Sequence, residues 1–388
     1  MTSMTFVEET KIQRLRQPLS RVMRVDEYEI AKAPDRMIAF RGSITGDTGA
    51  AFAHVSEAFE TQGYTAVLRY ADDGRHEVLA VQGVHDSAAP NYWVNVALFL
   101  ATLTTVLFIG ALGAIQYDEL IHGAEPVLDL MAVLSQLHRG IPFAATLMGI
   151  LLAHELSHYF VARRYGSPVS LPYFIPMPNL LGTMGAVITQ SAPMRDRKTL
   201  FDIGVAGPLG GLVVAIPLLI LGLSLSRVQP PPPGLDVALQ EGNSLLYIGL
   251  KYLVFGEILP ANGMDVWIHP VAFAAWAGLL VTMINLIPVG QLDGGHVSYA
   301  LLGRKAWTLG YVVIVAMFGL GGFLLLQGNE AGGFWVLWGF MNLILNRKHP
   351  PPLNDVTPVG DGRIAVGLFM VVIFVLTFMP SPLRQIEF

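Results

Sequence analysis

The sequence predicts an all-α polytopic membrane protein with about seven transmembrane helices and a re-entrant β-hairpin, preceded by a small N-terminal α+β cytosolic domain. Of its 388 residues, 53% are hydrophobic and only 14% are charged, and the mean hydropathy is +0.52. Apolar runs of about eighteen or more residues recur through the last three quarters of the chain, and this length crosses a bilayer core. A soluble enzyme and a disordered scaffold are therefore excluded.

The net charge and the cysteine content limit the possible partners and metal ligands of the protein. The net charge of −5 results from 24 Lys and Arg against 29 Asp and Glu, so no overall basic field is available to attract phosphate, and we expect no nucleic-acid partner. The chain contains no cysteine. Any site for a soft metal must therefore use His, Asp and Glu side chains.

The first residues are polar and are predicted to remain in the cytosol. Residues 1–24 form a basic segment without the apolar stretch of a signal peptide. Residues 25–88 have the composition of a small soluble α/β domain. We expect a β-α-β-β module here. Its strands are predicted at Met37–Ile44, Tyr64–Tyr70 and Glu77–Val84, and its helix, which has an apolar face, at Thr48–Gln62. No cluster of reactive residues stands out, and a packing role is as consistent with this sequence as any other function.

Residues 91–388 are predicted to form the transmembrane domain. Seven hydrophobic segments are expected to be helical, at Trp93–Ile115, Ile141–Ala162, Leu200–Leu225, Val271–Ile287, Trp307–Leu326, Phe334–Leu345 and Ile364–Met379. Leu245–Leu259 contains Lys251 and Glu257, which favours an interfacial or re-entrant helix. Small-residue spacing in the third segment predicts the close approach of another helix there, at Gly204, Gly207, Gly210 and Gly211.

Lysine and arginine residues predict the orientation. They fall in alternate loops, at Arg163, Arg164, Arg195, Arg197, Lys198, Arg304, Lys305, Arg347 and Lys348. Because cytoplasmic loops carry an excess of Lys and Arg, we expect these loops and the N-terminus to lie in the cytoplasm. The protein would then be an integral, multi-pass membrane protein, in the cytoplasmic membrane if its source is bacterial.

The second hydrophobic segment contains the sequence H-E-x-x-H, from His154 to His158. On a helix the two histidines lie one turn apart on the same face, where they can bind one zinc ion, while Glu155 flanks the open coordination position. Chance gives about 0.02 such motifs in a chain of this composition. Three ionisable groups in an apolar span are costly, which favours a function over a packing role.

A catalytic zinc ion needs a third protein ligand. The fourth segment ends in N-L-I-P-V-G-Q-L-D-G-G-H, from Asn285 to His296. Pro288 and the glycines predict a break in the helix, and unwinding there can turn the Asp293 carboxylate toward the metal. By the predicted topology, both motifs lie toward the cytoplasmic ends of their spans.

These two motifs, with the intervening G-T-M-G-A from Gly182 to Ala186, resemble the site-2 protease family of intramembrane zinc metalloproteases. The resemblance covers about residues 141–300 and implies a catalytic core there. It implies one zinc ion bound by His154, His158 and Asp293, with Glu155 as the catalytic glutamate. It further implies that Asn285 and Pro288 shape the site. The connecting loops are too short for a PDZ domain, and the chain looks similar to the branch of plastid and bacterial relatives that lack one.

The segment between the second and third spans is expected to receive the substrate. Leu171–Pro176 and Thr183–Thr189 look extended, and a re-entrant hairpin there would offer a strand edge to an unwound substrate. A plain cytoplasmic loop is the alternative. Substrate-binding residues are expected at Gly182, Thr183 and Gly185, with Pro288 from the later motif. Asn285 is expected to bind substrate backbone or an oxyanion, or else to tie down the broken helix.

The predicted function is hydrolysis of peptide bonds in transmembrane helices, as in regulated intramembrane proteolysis, with a transmembrane protein substrate and the lipid bilayer as partners. A non-proteolytic zinc carrier and an inactive protease-like scaffold remain as alternatives. His296 is a candidate for supporting the metal ligands or for simple solvation. The remaining histidines, including His269 and His349, are expected to be solvated or to cap helices.

Overall fold

A computed structural model describes residues 6–30, 37–83, 91–122, 130–231, 237–345 and 348–387. The described part is mostly helical, with a small sheet near the N-terminus and three two-stranded sheets elsewhere. Parts of the predicted ranges 1–24, 25–88 and 91–388 lie outside the described residues, and so does Arg347.

The N-terminal unit packs two helices on a four-stranded antiparallel sheet. Its elements are α1 (Phe6–Leu19), β1 (Met23–Ile30), β2 (Met37–Ile44), α2 (Thr48–Glu60), β3 (Tyr64–Tyr70) and β4 (His76–Gln82). The strand order is β1-β2-β4-β3, and Phe40 of β2 pairs with Val78 of β4. Phe40 and Phe59 are fully buried between the sheet and the helices, so the predicted alternation identified the core face of this unit.

Helix α1 belongs to the same core, because Ile12, Leu15 and Leu19 are buried in it. From the sequence this stretch was expected to be only a basic segment. Its apolar residues occur at helical spacing, but they are few and are surrounded by charged and polar residues. The structure therefore adds α1 and β1 to the predicted β-α-β-β module.

The remaining residues form the helical part of the protein. Its first half contains α3 (Tyr92–Ile121), α4 (Leu130–Ser135), a short 3-10 helix (Leu137–Gly140), α5 (Ile141–Arg164), β5 (Tyr173–Pro176), β6 (Thr183–Val187) and α6 (Arg197–Leu225). Its second half contains β7 (Arg227–Gln229), β8 (Val237–Glu241), α7 (Leu245–Phe255), β9 (Asp265–Trp267), α8 (Pro270–Asn285), α9 (Asp293–Leu302), α10 (Lys305–Leu326), α11 (Ala331–Leu345), α12 (Asp361–Thr377) and β10 (Leu383–Glu387).

Four helical stretches in the described residues are long and apolar enough to cross a membrane, at Tyr92–Ile121, Leu137–Arg164, Arg197–Leu225 and Lys305–Leu326. The prediction of seven spans is therefore not confirmed. Helices α8, α11 and α12 have only 16, 15 and 17 residues. Helix α8 is buried along most of its length, so its apolar composition reflects packing against other helices. The predicted interfacial segment contains the 11-residue helix α7.

Helix α6 packs closely against α5 and α8 because glycines line its contact faces. A Cβ atom on Gly210 would lie 2.0 Å from Ser157 Oγ of α5, and one on Gly222 would lie 2.3 Å from the Ala272 nitrogen of α8. These approaches are possible only without a side chain. They confirm the close helix packing predicted from the small-residue spacing.

Strands β5 and β6 form the predicted hairpin, which lies along α3. The Asn95 amide donates hydrogen bonds to the carbonyls of Leu171 and Pro172, at 2.9 and 3.0 Å. Thr105 Oγ1 donates to the Gly182 carbonyl at 2.7 Å. Asn95 and Thr105 are ten positions apart on α3, which corresponds to about 15 Å of helix. The hairpin therefore runs along about half the thickness of a bilayer core.

The residues after α11 return to the N-terminal sheet, and we call residues 349–357 the strap. The Leu68 amide of β3 donates to the Leu353 carbonyl at 2.7 Å, and the Asp355 amide donates to the Leu68 carbonyl at 2.9 Å. On its other side, the Asn354 amide donates to the Arg195 carbonyl at 2.9 Å. The strap thus lies between the edge of the N-terminal sheet and the start of α6.

Candidate metal centre

Helix α5 brings the two histidines of the H-E-x-x-H motif together inside the helical bundle. His154 and His158 are 3% and 5% exposed, and their Nε2 atoms lie 3.2 Å apart. The one-turn spacing on a single helix face produces this geometry. This arrangement agrees with the prediction that the two imidazole nitrogens can bind the same metal ion.

Asp293 reaches the same point from a different helix. Helix α8 ends at Asn285, the chain turns through the segment containing Pro288, and α9 begins at Asp293. Asp293 Oδ2 lies 3.1 Å from His154 Nε2, and Oδ1 lies 3.1 Å from His158 Nε2. The helix break is present as predicted, and it places the carboxylate in the first turn of the next helix.

The glycines after Asp293 make this turn sterically possible. A Cβ atom on Gly294 would lie 2.0 Å from the Leu286 carbonyl oxygen, and one on Gly295 would lie 2.3 Å from the Gly290 carbonyl oxygen. The loop therefore folds tightly onto the start of α9. Residues with side chains at these two positions would push the carboxylate-bearing turn away.

The donor atoms fit a tetrahedral zinc ion. Zinc–ligand bonds of about 2.0–2.1 Å at tetrahedral angles place neighbouring donors roughly 3.3 Å apart. The two Nε2 atoms are 3.2 Å apart, and each lies 3.1 Å from one oxygen of the Asp293 carboxylate. The Nδ1–H of His158 donates to the Ile203 carbonyl at 2.8 Å, which leaves a lone pair on its Nε2. Two buried imidazoles and a carboxylate that face each other at these distances could hold a metal ion between them.

Glu155 and Asn285 lie next to the three donors. Glu155 follows His154 on α5 and is 5% exposed, and within the described ranges its carboxylate makes no hydrogen bond. The Asn285 amide nitrogen lies 3.4 Å from His154 Nε2. The Asn285 amide is therefore within reach of a ligand at this site, and Glu155 is buried one residue from His154 on the same helix.

Helix α6 forms one wall of the site through its glycines. A Cβ atom on Gly207 would lie 2.0 Å from His158 Nε2, and one on Gly211 would lie 3.3 Å from His154 Nδ1. A Cβ atom on Gly204 would lie 2.8 Å from His296 Cβ of α9. The sequence predicted close packing at these glycines, but it gave no sign that they face the histidines.

The residues predicted to bind substrate lie mainly in the hairpin. Gly182 has φ +76° and contacts the α3 backbone at Val106, so its small size is needed for packing. Thr183 Oγ1 donates to the Ile175 carbonyl at 2.9 Å and accepts from the Gly185 amide at 2.9 Å. Strand β6 pairs with β5 in a two-stranded sheet, which leaves its other edge without a strand from the described residues.

Met184 and Val187 of β6 are 52% and 46% exposed. Apolar side chains therefore accompany this open edge. Pro288 lies in the turn between α8 and α9, away from the hairpin in sequence but adjacent to Asp293. Gly182, Thr183 and Gly185 thus lie in the hairpin along α3, and Pro288 lies in the turn before Asp293.

The expectation for His349 is wrong. His349 is only 4% exposed. Its Nε2 atom lies 2.7 Å from His296 Nδ1, and its ring stacks on the Tyr299 ring with the two centroids 4.8 Å apart. The strap folds back onto α9, a long-range contact that local sequence does not reveal. His269 caps α8 as expected, because its Nδ1 accepts a hydrogen bond from the Val271 amide at 3.2 Å.

An H-E-x-x-H helix with a carboxylate from a second helix, buried among apolar helices of membrane-spanning length, is typical of the class of membrane metalloproteases. Comparison with known proteins agrees with this class. Residues 142–327 match Peptidase family M50. This segment belongs to that family, the family of the site-2 proteases.

Three curated relatives are similar over most of this chain. The "Probable zinc metalloprotease EGY1, chloroplastic" of Arabidopsis thaliana is 32% identical over 306 residues, or 74% of this chain and 53% of the relative. The "Probable zinc metalloprotease EGY2, chloroplastic" of Oryza sativa subsp. indica is 31% identical over 64% of this chain and 44% of the relative. The Arabidopsis thaliana EGY2 protein is 29% identical over 76% of this chain and 50% of the relative. The chain thus spans about half the length of these relatives.

Proposed function

We propose that this protein is an intramembrane zinc metalloprotease that hydrolyses peptide bonds in the transmembrane helices of membrane-protein substrates, as in regulated intramembrane proteolysis. One observation carries the proposal. Two imidazole nitrogens 3.2 Å apart, each 3.1 Å from one oxygen of the Asp293 carboxylate, are buried next in sequence to a buried glutamate. They occur among helices long enough to cross a membrane, so the reacting bond must reach the site at membrane depth.

In this proposal, His154, His158 and Asp293 hold one zinc ion per chain. The ion supplies Lewis-acid activation of water and of the scissile carbonyl. Glu155 accepts a proton from the attacking water and delivers it to the leaving amine. The Ile203 carbonyl holds the His158 ring in the orientation that presents Nε2. Each role follows from a side chain's position and from its capacity to donate or accept.

The substrate would bind in an extended conformation. A helical carbonyl is engaged in its i to i−4 hydrogen bond and shielded by side chains, so the substrate must unwind before attack. The open edge of β6 can then pair with the unwound strand through main-chain hydrogen bonds. The Asn285 amide can donate to the substrate backbone or to the oxyanion. Gly182, Thr183 and Gly185 would shape the strand edge, and Pro288 would shape the turn that carries Asp293.

The active site would lie toward the cytosol. Asn354 forms bridges with Leu68 of the N-terminal unit and with Asp196 at the start of α6, which puts this unit at the end of the bundle with the basic loops. Excess Lys and Arg mark the cytoplasmic side. His158 precedes Arg164, the last residue of α5, by six residues, or about 9 Å. Water from the cytosol would thus have a short path.

The test uses the purified full chain in liposomes with a single-span substrate. Wild type should release a cleaved product, a zinc chelator should stop the reaction, and Glu155→Gln should retain zinc but release no product. Glu57→Gln, at an exposed position of α2, is the matched control and should cleave normally. If wild type and Glu155→Gln both carried zinc into the liposomes and neither cleaved the substrate, the result would contradict the protease function and support a zinc carrier.

A further inference from the structure

Helix α9 carries Asp293 and packs against the preceding turn and against Gly204 of α6. The turn contains Gly290 with φ +53°, and the N-cap, Leu292, provides no side-chain hydrogen bond. A side-chain cap therefore does not help to fix the start of α9. Tertiary contacts must hold α9, and with it the carboxylate of Asp293.

The strap supplies such contacts at two successive turns of α9. His349 Nε2 lies 2.7 Å from His296 Nδ1, and Tyr299 stacks on the same His349 ring. The Tyr299 hydroxyl donates to Asp355 Oδ2 at 3.1 Å. Around the helix axis His296 lies about 60° from Asp293 and Tyr299 about 120°, so the strap contacts the side of α9 next to the carboxylate.

The strap is itself anchored to the start of α6 and to the first turn of α10. Arg197 Nε, at the start of α6, donates to Asp355 Oδ1 at 2.9 Å. Trp307 Nε1 of α10 donates to the His349 carbonyl at 2.9 Å. His349 and Asp355 are 4% and 7% exposed. Buried, paired polar groups of this kind fix one arrangement, because leaving either partner unpaired is costly.

The other side of the strap belongs to the N-terminal unit. Val356 is buried in the core of that unit, and Leu353 packs against it. Thr357 Oγ1 lies 3.0 Å from Thr48 Oγ1 at the start of α2, and Asn354 receives the Val356 and Thr357 amides on its side-chain oxygen, at 3.2 and 3.1 Å. The same short segment therefore contacts both the N-terminal core and the helix that bears Asp293.

We propose that the strap is a positioning element, in which His349 and Asp355 orient α9 and thereby set the place of the Asp293 carboxylate, and that the N-terminal unit holds the strap in position. This inference rests on the proposed function, because it assigns Asp293 to the metal. It gives the N-terminal unit a role in the protease site that its own residues do not indicate. His349 and Asp355 act through α9 and do not touch the metal donors.

Zinc affinity of the full chain, measured by competition with a chromophoric chelator, tests the proposal independently of activity. His349→Ala and Tyr299→Phe should each weaken zinc binding by about tenfold, the lower end of the range for groups that orient metal ligands. His349→Gln keeps an amide at the position of Nε2 and should restore most of the affinity. In the cleavage assay, kcat should fall while KM stays unchanged, because the hairpin that receives the substrate is not contacted by the strap residues altered here.

A matched pair of variants separates positioning from general stability. Val356 and Val78 are both buried valines of the N-terminal core, 7% and 3% exposed, but only Val356 belongs to the strap. Val356→Ala should weaken zinc binding, whereas Val78→Ala should lower the melting temperature of the N-terminal unit without changing zinc affinity. Equal loss of zinc affinity in both variants would overturn the proposal, because the effect would then follow stability alone.

Asp293→Ala tests the proposed metal site separately from the proposed role of the strap. If wild type binds zinc and Asp293→Ala does not, the proposed metal site stands. Unchanged zinc affinity and kcat in folded His349→Ala and Tyr299→Phe would then overturn only the role of the strap. If Asp293→Ala binds zinc as tightly as wild type, the proposed metal site itself is wrong.

Discussion

Substitution of Gly207 by alanine should disable the metal site without touching a ligand. Its Cβ atom would lie 2.0 Å from His158 Nε2, whereas non-bonded carbon and nitrogen atoms need about 3.4 Å. The imidazole or helix α6 must therefore move by roughly 1.4 Å. A zinc–ligand bond tolerates only about 0.2 Å, so His158 would no longer reach the ion in the geometry set by His154 and Asp293.

The expected loss is large. Zinc sites with four protein ligands have binding free energies of about 10–16 kcal/mol, or roughly 2.5–4 kcal/mol per ligand. Loss of His158 as a ligand should therefore weaken zinc binding by at least about 60-fold. Helix stability acts in the opposite direction, because alanine is favoured over glycine in a helix by up to about 1 kcal/mol. A loss of zinc therefore cannot be attributed to weakening of α6.

The assay is chelator competition on the purified full chain, with cleavage of a single-span substrate as a second readout. Gly149→Ala is the matched control, because Gly149 lies on α5, the helix of the histidines, and a Cβ atom there would meet nothing within 4 Å. Gly149→Ala should keep wild-type zinc affinity. Wild-type affinity in Gly207→Ala would refute the placement of His158 against α6 and with it the donor geometry.

Three further predictions concern topology, substrate and the N-terminal unit. Because the chain has no cysteine, single cysteines at positions 197 and 231 give a clean labelling test, and they should be labelled from opposite sides of the membrane. Leucine in place of a glycine or a proline near the cut should stabilise the substrate helix by roughly 1 kcal/mol or 3 kcal/mol, respectively. Cleavage should then slow by about fivefold to a hundredfold. Equal rates would exclude unwinding before chemistry. Burial alone would raise the pKa of Glu77, but hydrogen bonds from Arg41 and Arg69 outweigh it and lower the pKa. The ionised Glu77 carboxylate therefore stabilises the folded state fully above its unfolded pKa of about 4.3, and this stabilisation is lost as the pH falls through the lower folded pKa. Hydrogen exchange of the β4 amides should therefore accelerate in this acidic range in wild type. The same exchange should depend less on pH in Glu77→Gln.

Local patterns in the sequence predicted the features that depend on short chain distances. The spacing of His154 and His158 fixes their common face, and Pro288 with the following glycines fixes the break before Asp293. The alternation in Met37–Ile44 and Tyr64–Tyr70 gave both strands with the bounds seen in the structure. In each case the period of the element determines which side chains share a face.

Features that depend on long-range packing could not be predicted in this way. The pairing of His349 with His296 joins residues 53 positions apart, and nothing in the Pro350–Pro352 sequence marks the fold-back. The spacing of Gly207 indicated a close helix neighbour but not that this neighbour is His158. Hydropathy predicted seven spans, and helices α8, α11 and α12 are shorter than the four long apolar helices, so the number seven is not confirmed.

The most direct test of the proposed function is the position of the cut, determined by mass spectrometry of both products from a single-span substrate in liposomes. The expected result is one peptide bond within the apolar segment or at its edge, cut by wild type and left intact by zinc-loaded Glu155→Gln. Cleavage confined to the soluble flanks of the substrate, or metal-dependent cleavage by Glu155→Gln at near wild-type rate, would contradict an intramembrane protease that uses Glu155 as its base.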